Sequence, residues 1–387
     1  MIPLSKPNIS EETLEAVREV FLSGWWTMGK ITQQLEEEFA EYVEAKYAVA
    51  TSSCSAALHL AVRAVSQDCY SFVATTPFIF CSTINSLIHN GLIPLWVDVD
   101  RRTQCIDLKQ ISKHKAYFQG LLIVHFAGYP CDMDTVMELK EKNGLWLIED
   151  CAHAVETKWK GKHAGTFGDV GCFSFNPTKN IAAPEMGMLV TDNQEIADKI
   201  RRWRIHGMSA SALERVTKPG KYDIIDLGYK YNCTDVEAVV ALHQLRNISE
   251  NYWRRRNICF IYNSVLIDLR NAGFFNGFLP VLGNDYETKT AHHLYTIQIP
   301  NRDKFIQEML KRDICCGIHY KPVSLHSYYA SYYVRNLICP NAEWLGDHTV
   351  SLPLGPGMEG EDLDTVMNAL EEVFRTGEYL FREGKAL

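Results

Sequence analysis

Apolar residues return at helical spacing in two opening stretches, "EETLEAVREVFLSG" and "ITQQLEEEFAEYVEA". In the second, Leu35, Phe39, Tyr42 and Val43 share one face, as an amphipathic helix requires. The period then changes. Short apolar runs rich in β-formers alternate with helical segments: "YAVAT" with "SAALHLAVRAV", "SFVATT" with "CSTINSLIHN", then "LIPLWVDV", "GLLIVHFAG" with "DMDTVMELKEKNG", and "LWLIED". Fully apolar strands separated by amphipathic helices predict an α/β fold with a mostly parallel sheet covered on both faces. Such sheets take ligands at the carboxyl ends of their strands. Beyond about Thr234 the pattern changes again, to a long helical stretch "DVEAVVALHQLRNISENYWRRRNICFIYNSVLIDL", strand-like "HLYTIQIP", helical "RDKFIQEMLKRDI", strand-like "CCGIHY" and a terminal helix. A chain of 387 residues exceeds one comfortable core. It is read as a large domain over residues 1–240 and a smaller α+β domain over 241–387, bridged by the long helix.

Composition narrows the function. With 47% hydrophobic and 22% charged residues the chain is of ordinary globular type. A net charge of −8 offers no basic face to nucleic acid or to an anionic membrane. No apolar run approaches the roughly 20 residues that span a bilayer. The N-terminus lacks the basic and apolar regions of a secretory signal. The 12 cysteines contain no CxxC pair and read as reduced, buried small hydrophobes. The expected location is the cytoplasm, with no nucleic-acid or membrane partner.

Candidate chemistry gathers at predicted strand ends. "GWWTMGKI" is one residue short of a P-loop, but it follows a helix and fills its loop with two tryptophans where a phosphate cradle needs small residues. "TSSCSAALHL" is better placed: it follows a strand and opens a helix, so the amides of Cys54, Ser55 and Ala56 face the ligand edge, where an anion is favoured. Alone, it reads equally as ordinary N-capping by Ser53 or Ser55. Asp150 ends "LWLIED", either as a helix cap or as a carboxylate for a cationic ring nitrogen, with His153 just beyond. Lys179 follows "CFSFNPT". Alone it is a solvated lysine; placed beside a carbonyl cofactor and able to lose its proton, it is a nucleophile.

"IEDCAHA", "KGKHAGTFGDVGCFSFNPTKN" and "EMGMLVT" together resemble the DegT/StrS-type (DegT/DnrJ/StrS) nucleotide-sugar aminotransferases, fold-type I pyridoxal-phosphate enzymes. Matching stretches run from "SGWWTMGK" through "SSCSAALHLAV", "HGM", "LGYKYNCTDVEAVVALHQL" and "HHLYTIQI" to "VSLPLGPGM", roughly residues 3 to 373. The resemblance implies that Lys179 holds pyridoxal 5'-phosphate and shuttles the proton, and that Asp150 keeps the pyridine nitrogen protonated. It further implies that His153 lies beside the ring, that Phe80 stacks on it, and that Ser174, Ser55 and adjacent amides such as that of Cys54 hold the phosphate. It places Lys230 and Asn232 in a loop lent by the second subunit of a homodimer; each also reads as part of a plain dimer-surface loop. The chain departs from the family's usual "GEGG" with "PEMG", keeping Glu185 but placing Met186 where a glycine is common, which bears on the substrate pocket.

The implied reaction moves an amino group, from glutamate as donor, to a keto group of a nucleotide-linked deoxysugar, with a closer likeness to members that act at C4 than at C3. Trp26, Thr27, His319, Tyr320 and His326 join Glu185 as substrate candidates; each also reads as plain packing. Some relatives carry histidine instead of the lysine and act as dehydratases, so a pyridoxal-phosphate dehydratase or a non-catalytic cofactor-binding regulator is the alternative. A metallohydrolase built on His292, His293, His319, His326 and His348 finds no supporting ligand spacing, and no metal is expected.

Overall fold

The computed structural model describes residues 1–381 except 67, 114–116, 218–219, 284–286, 333–337 and 359. The charged C-terminal stretch "EYLFREGKAL", which reads as a solvated end, lies mostly outside the described residues.

Seven strands form the central sheet: β1 (Tyr47–Thr51), β2 (Phe72–Thr75), β3 (Ile93–Trp96), β4 (Phe118–Val124), β5 (Trp146–Asp150), β8 (Val170–Ser174) and β9 (Gly187–Thr191), with a small hairpin of β6 (Lys158–Trp159) and β7 (Lys162–His163) between β5 and β8. Their spatial order is β1-β9-β8-β5-β4-β2-β3. All neighbours pair in parallel except β9, which runs antiparallel to both β1 and β8. Alternate residues feed opposite faces, as the two-residue period of a strand demands. In β9, Met188 and Val190 join one cluster with Leu35, Phe39, Ala238 and Leu242, from the helices Lys30–Val43 and Asp235–Arg246. Leu189 joins the other with Leu58, Ala61, Ala197 and Ile200, from the helices Cys54–Val65 and Gln194–Trp203. The carboxylate of Asp235 fixes the start of the helix Lys30–Val43, accepting from Gly29 and Thr32 amides at 2.8 and 3.0 Å.

The long helical stretch is two helices, Asp235–Arg246 and Ile248–Asn271, broken at Asn247. The break puts them on separate cores. The second packs with Arg302–Leu310, Gly360–Thr376 and the antiparallel pair β11 (Tyr295–Gln298) and β12 (Thr349–Leu352), in a cluster centred on Tyr262, Tyr295, Phe305 and Phe374; β10 (Thr288–Lys289) adds to the small hairpin. "CCGIHY" is not a strand: a single bridge, Gly317 to Ser351, ties an otherwise irregular loop to β12. No described helix is long and apolar enough to cross a membrane.

Candidate active site

Asp150 closes β5 and Ser174 closes β8, so both lie at the carboxyl edge of the sheet. The helices that follow β1 and β2 begin there too, at Cys54 and Cys81. After β8 the chain stays at this edge and then returns as β9. These elements enclose a cavity of about 430 Å³, within the usual range for small-molecule sites. Cys54, Ser55, Phe80, Asp150, His153, Ser174, Lys179 and Glu185 line it, and the loop after the helix Arg302–Leu310 contributes His319 and Tyr320.

Asp150 is 3% exposed. The Thr83 hydroxyl donates to one carboxylate oxygen at 2.7 Å and the Ala152 amide to the other at 3.0 Å. Burial raises its pKa, against the pull of those two donors. A desolvated carboxylate of this kind gains from a cation brought to it. Lys179 is half-buried and lines the cavity. Burial lowers its pKa to about 8, with Cys54 and Asp150 pulling the other way. Its ammonium makes no hydrogen bond among the described residues, although its backbone amide is tied to the Asn176 carbonyl at 2.8 Å. A lysine that deprotonates near neutrality can attack a carbonyl.

The helix start shows how an anion would be held. Ser53 caps the helix, and its hydroxyl takes the Ala56 amide at 3.1 Å. The three amides expected to be free are therefore two, those of Cys54 and Ser55, which no described group engages. Gly187 makes this arrangement possible: a Cβ there would lie 2.4 Å from the Cys54 nitrogen and 2.4 Å from the Ser53 carbonyl carbon. Ser174, 7% exposed, brings a hydroxyl into the same cavity. A buried carboxylate, an unbonded lysine and two free helix amides suit a molecule with a basic ring nitrogen, a carbonyl and a phosphate, as pyridoxal phosphate has.

Around them stand rings. Phe80 is 56% exposed, with its ring 6.0 Å from that of Tyr320. The Ala127 amide donates to His153 Nδ1 at 3.2 Å, so the proton of His153 is on Nε2, 3.2 Å from the Tyr320 hydroxyl. Burial, and then the charge of Lys179, hold His153 well below its ordinary pKa, and it is neutral. His319 is lowered to about 4 by burial and by Lys179, and its Nδ1 lies 2.7 Å from the Ser351 hydroxyl. Glu185 accepts from the Asn176 side chain at 2.8 Å. Met186, the residue that departs from the family pattern, is 1% exposed and packs into the core with Phe175 and Met188, so its side chain does not enter the cavity.

Other candidates lie outside this cavity. Trp26 is exposed, with its ring against Phe21; Thr27 bridges to Thr234; His326 is exposed beyond the cavity lining. Lys230 is exposed and its ammonium touches only Asn232 among the described residues. Sequence reasoning missed Thr83, which lies in the first turn of the helix Cys81–His89 with no motif to mark it, and Asn176 and Thr178, which flank the lysine's turn. The five histidines of the hydrolase reading serve separate neighbours, His348 bonding the Trp344 carbonyl at 2.7 Å and His292 lying 3.2 Å from the Thr290 hydroxyl. His125, Glu149 and Cys151 do cluster. Yet Glu149 accepts from His125 at 3.0 Å and from the amides of Gly165, Phe167 and Gly168 at 2.7–2.8 Å, so its oxygens are committed to holding that turn.

The sequence model of the DegT/DnrJ/EryC1/StrS aminotransferase family matches residues 7–371. The chain is 37% identical over 385 residues to the spore coat polysaccharide biosynthesis protein SpsC of Bacillus subtilis, covering 97% of each. Among solved structures it is similar to S. venezuelae DesV, with 28% identity, a TM-score of 0.85 and 95% of each chain covered. It shares its fold with Helicobacter pylori PseC, an aminotransferase involved in the biosynthesis of pseudoaminic acid, with a TM-score of 0.88 over 97% of this chain and 99% of that one at 23% identity. The chain belongs to the DegT/DnrJ/EryC1/StrS aminotransferase family.

Proposed function

We propose that this pyridoxal-phosphate-dependent aminotransferase transfers an amino group from glutamate to a keto group, at C4, of a nucleotide-linked deoxysugar, and that it works as a cytoplasmic homodimer. The sugar is supported by the polysaccharide role in the name of the Bacillus subtilis relative. The position, donor and nucleotide follow from the resemblance of the sequence. The observation that carries the reading is the juxtaposition of Asp150, Lys179 and the free amides of Cys54 and Ser55 in one cavity.

When bound, the cofactor supplies an electron sink and a carbonyl that accepts and releases the amino group. Lys179 would hold it covalently and would move a proton at its Nζ. A pKa near 8 suits both tasks, since the amine must be neutral to attack and charged to return a proton. Asp150 balances the positive ring nitrogen. The Cys54 and Ser55 amides with Ser174 would bind the phosphate, and Phe80 would cover one face of the ring. His153 offers Nε2–H as a neutral donor at the cavity wall. Glu185, His319 and Tyr320 face the space left for the sugar. Lysine rather than histidine at position 179 favours transfer over dehydration. Lys230 and Asn232 act in the partner subunit's site, and Trp26, Thr27 and His326 contact substrate in the assembled dimer.

Borohydride reduction of the loaded protein, with peptide mapping, should leave the pyridoxyl group on Lys179, and Lys179→Ala should abolish turnover. Loss of positioned proton transfer alone costs on the order of 10²–10⁴ in rate. A label on any other lysine refutes the assignment. Glutamate should shift the absorbance to that of the amine form, and a panel of nucleotide-linked keto-sugars should shift it back. An absorbance that glutamate leaves unchanged would instead support the dehydratase or regulator.

A further inference from the structure

Behind the cavity wall, four buried polar residues form one connected set. Asn180, next in the chain to Lys179, is 4% exposed. Its side-chain nitrogen donates to Glu156 at 2.7 Å and to the Ala291 carbonyl at 2.8 Å. Its side-chain oxygen lies 3.0 Å from His293 Nδ1. Glu156 is in turn paired with the guanidinium of Arg255, and both are fully enclosed.

These contacts leave no freedom of orientation. A carboxylate and a carbonyl only accept, so the Asn180 nitrogen must face them and its oxygen must face His293. An amide oxygen only accepts, so Nδ1 of His293 carries the proton. The His293 ring lies 4.4 Å from that of His153, tilted by 31°. The charged and titratable groups facing His293 are His153, Lys179, His319 and Arg255; burial and these neighbours keep it neutral. Those facing Lys179 are Cys54, Asp150, His153, His293 and His319. Stability alone does not explain the set. Arg255 Nε and Nη1 have no partner among the described residues, and a buried ion pair is often no more stable than the apolar packing that could replace it.

We infer that Asn180 is a positioning residue for the reaction. Clamped by Glu156 and Ala291, it anchors the peptide that follows Lys179 and holds His293 in the Nδ1–H form that backs the neutral ring of His153. The inference rests on Lys179 being the lysine that holds the cofactor.

The test uses the full chain without cofactor. Reductive methylation with formaldehyde and cyanoborohydride, followed by peptide mapping, gives the reactivity of Lys179 against pH, and thermal unfolding is recorded beside it. The wild type should titrate near pH 8. Asn180→Leu, which keeps the branching but cannot bond, should release the lysine toward solvent, move the midpoint up by about one unit, and cut labelling at pH 8 roughly fivefold. Asn180→Asp sets two carboxylates together and should also shift the midpoint. Adding Glu156→Gln restores one charge and one donor at that contact and should return the midpoint toward the wild-type value. A folded Asn180→Leu protein with the wild-type midpoint overturns the inference. If that variant does not fold, the double variant decides: a folded double variant that is no closer to wild type than Asn180→Asp overturns it. Borohydride labelling of another lysine in the loaded wild type would overturn the underlying assignment instead, so the two failures are told apart.

Discussion

Replacing Asp150 by asparagine separates the charge of this side chain from its shape. In the wild type, one carboxylate oxygen accepts from the Ala152 amide at 3.0 Å and the other from the Thr83 hydroxyl at 2.7 Å. Asparagine keeps the first contact through its carbonyl. Its nitrogen takes the second position, where the Thr83 hydroxyl reverses from donor to acceptor. The Thr83 hydroxyl then has no described acceptor for its own proton, a cost set against the buried charge that asparagine removes. The carboxyl's pKa is raised by burial, so when ionised it penalises the cofactor-free protein. The sign follows: its contribution is most favourable below the ordinary carboxyl range and is lost as pH rises through the raised value. Cofactor-free Asp150→Asn should therefore unfold at a temperature equal to or above the wild type at pH 7, with that advantage shrinking as pH falls. What asparagine removes is the anion proposed for the ring nitrogen. A hydrogen bond to a charged group is worth about 1.5–3 kcal/mol. At about 1.4 kcal/mol per tenfold, the proton-removal step should slow by roughly one to two orders of magnitude. Stopped-flow single turnovers at saturating glutamate measure that step. A rate within twofold of wild type, or an asparagine protein plainly less stable at pH 7, would refute the reasoning.

Two further outcomes are expected. Gly187→Ala forces a methyl carbon to within 2.4 Å of the Cys54 nitrogen, and backbone cannot yield cheaply. Displacing the helix start should cost about 1–3 kcal/mol of stability and weaken cofactor binding tenfold or more, read by melting and by absorbance titration. Lys230→Ala should weaken cofactor binding on the order of tenfold while leaving the saturated rate near wild type. If the loop acts in trans, mixing it with Lys179→Ala subunits should restore activity through one intact site per heterodimer. No restoration, from a Lys230→Ala protein that is itself impaired, would refute the trans role.

The parallel sheet was legible because its strands are apolar on both faces and are punctuated by amphipathic helices, and those strand ends hold Asp150 and Ser174. The break at Asn247 was not legible. "LRNISENY" carries no proline or glycine there, and only the packing of the two helices on separate cores distinguishes it from a continuous helix. "CCGIHY" has the composition of a strand but meets β12 through one bridge. Thr83 was hidden for another reason: a threonine in a helix signals nothing until the fold sets it opposite Asp150, 67 positions away. The concern over Met186 dissolves on the period of β9. Met186 and Met188 share the core face, which leaves Gly187 on the face toward the helix at Cys54.

That period also explains why an antiparallel strand sits inside an otherwise parallel sheet. Parallel strands joined by right-handed crossovers deliver every strand end and every following helix start to one edge. Had β8 been followed by another such crossover, the chain would have left the edge at once through a helix. Instead, residues 175–186 remain there and β9 carries the chain back beside β8. The stay is stabilised locally. Phe175, Asn180, Ile181, Ala182 and Ala183 are all buried, the Phe175 amide bonds the Met186 carbonyl, and the Ala183 amide bonds that of Phe175. Lys179 is thus fastened by its neighbours, while its own ammonium is left free in the cavity that Asp150 and the helix start already define. The reversal at β9 converts a loop position, ordinarily mobile, into one with the fixed geometry that the covalent role proposed for Lys179 needs.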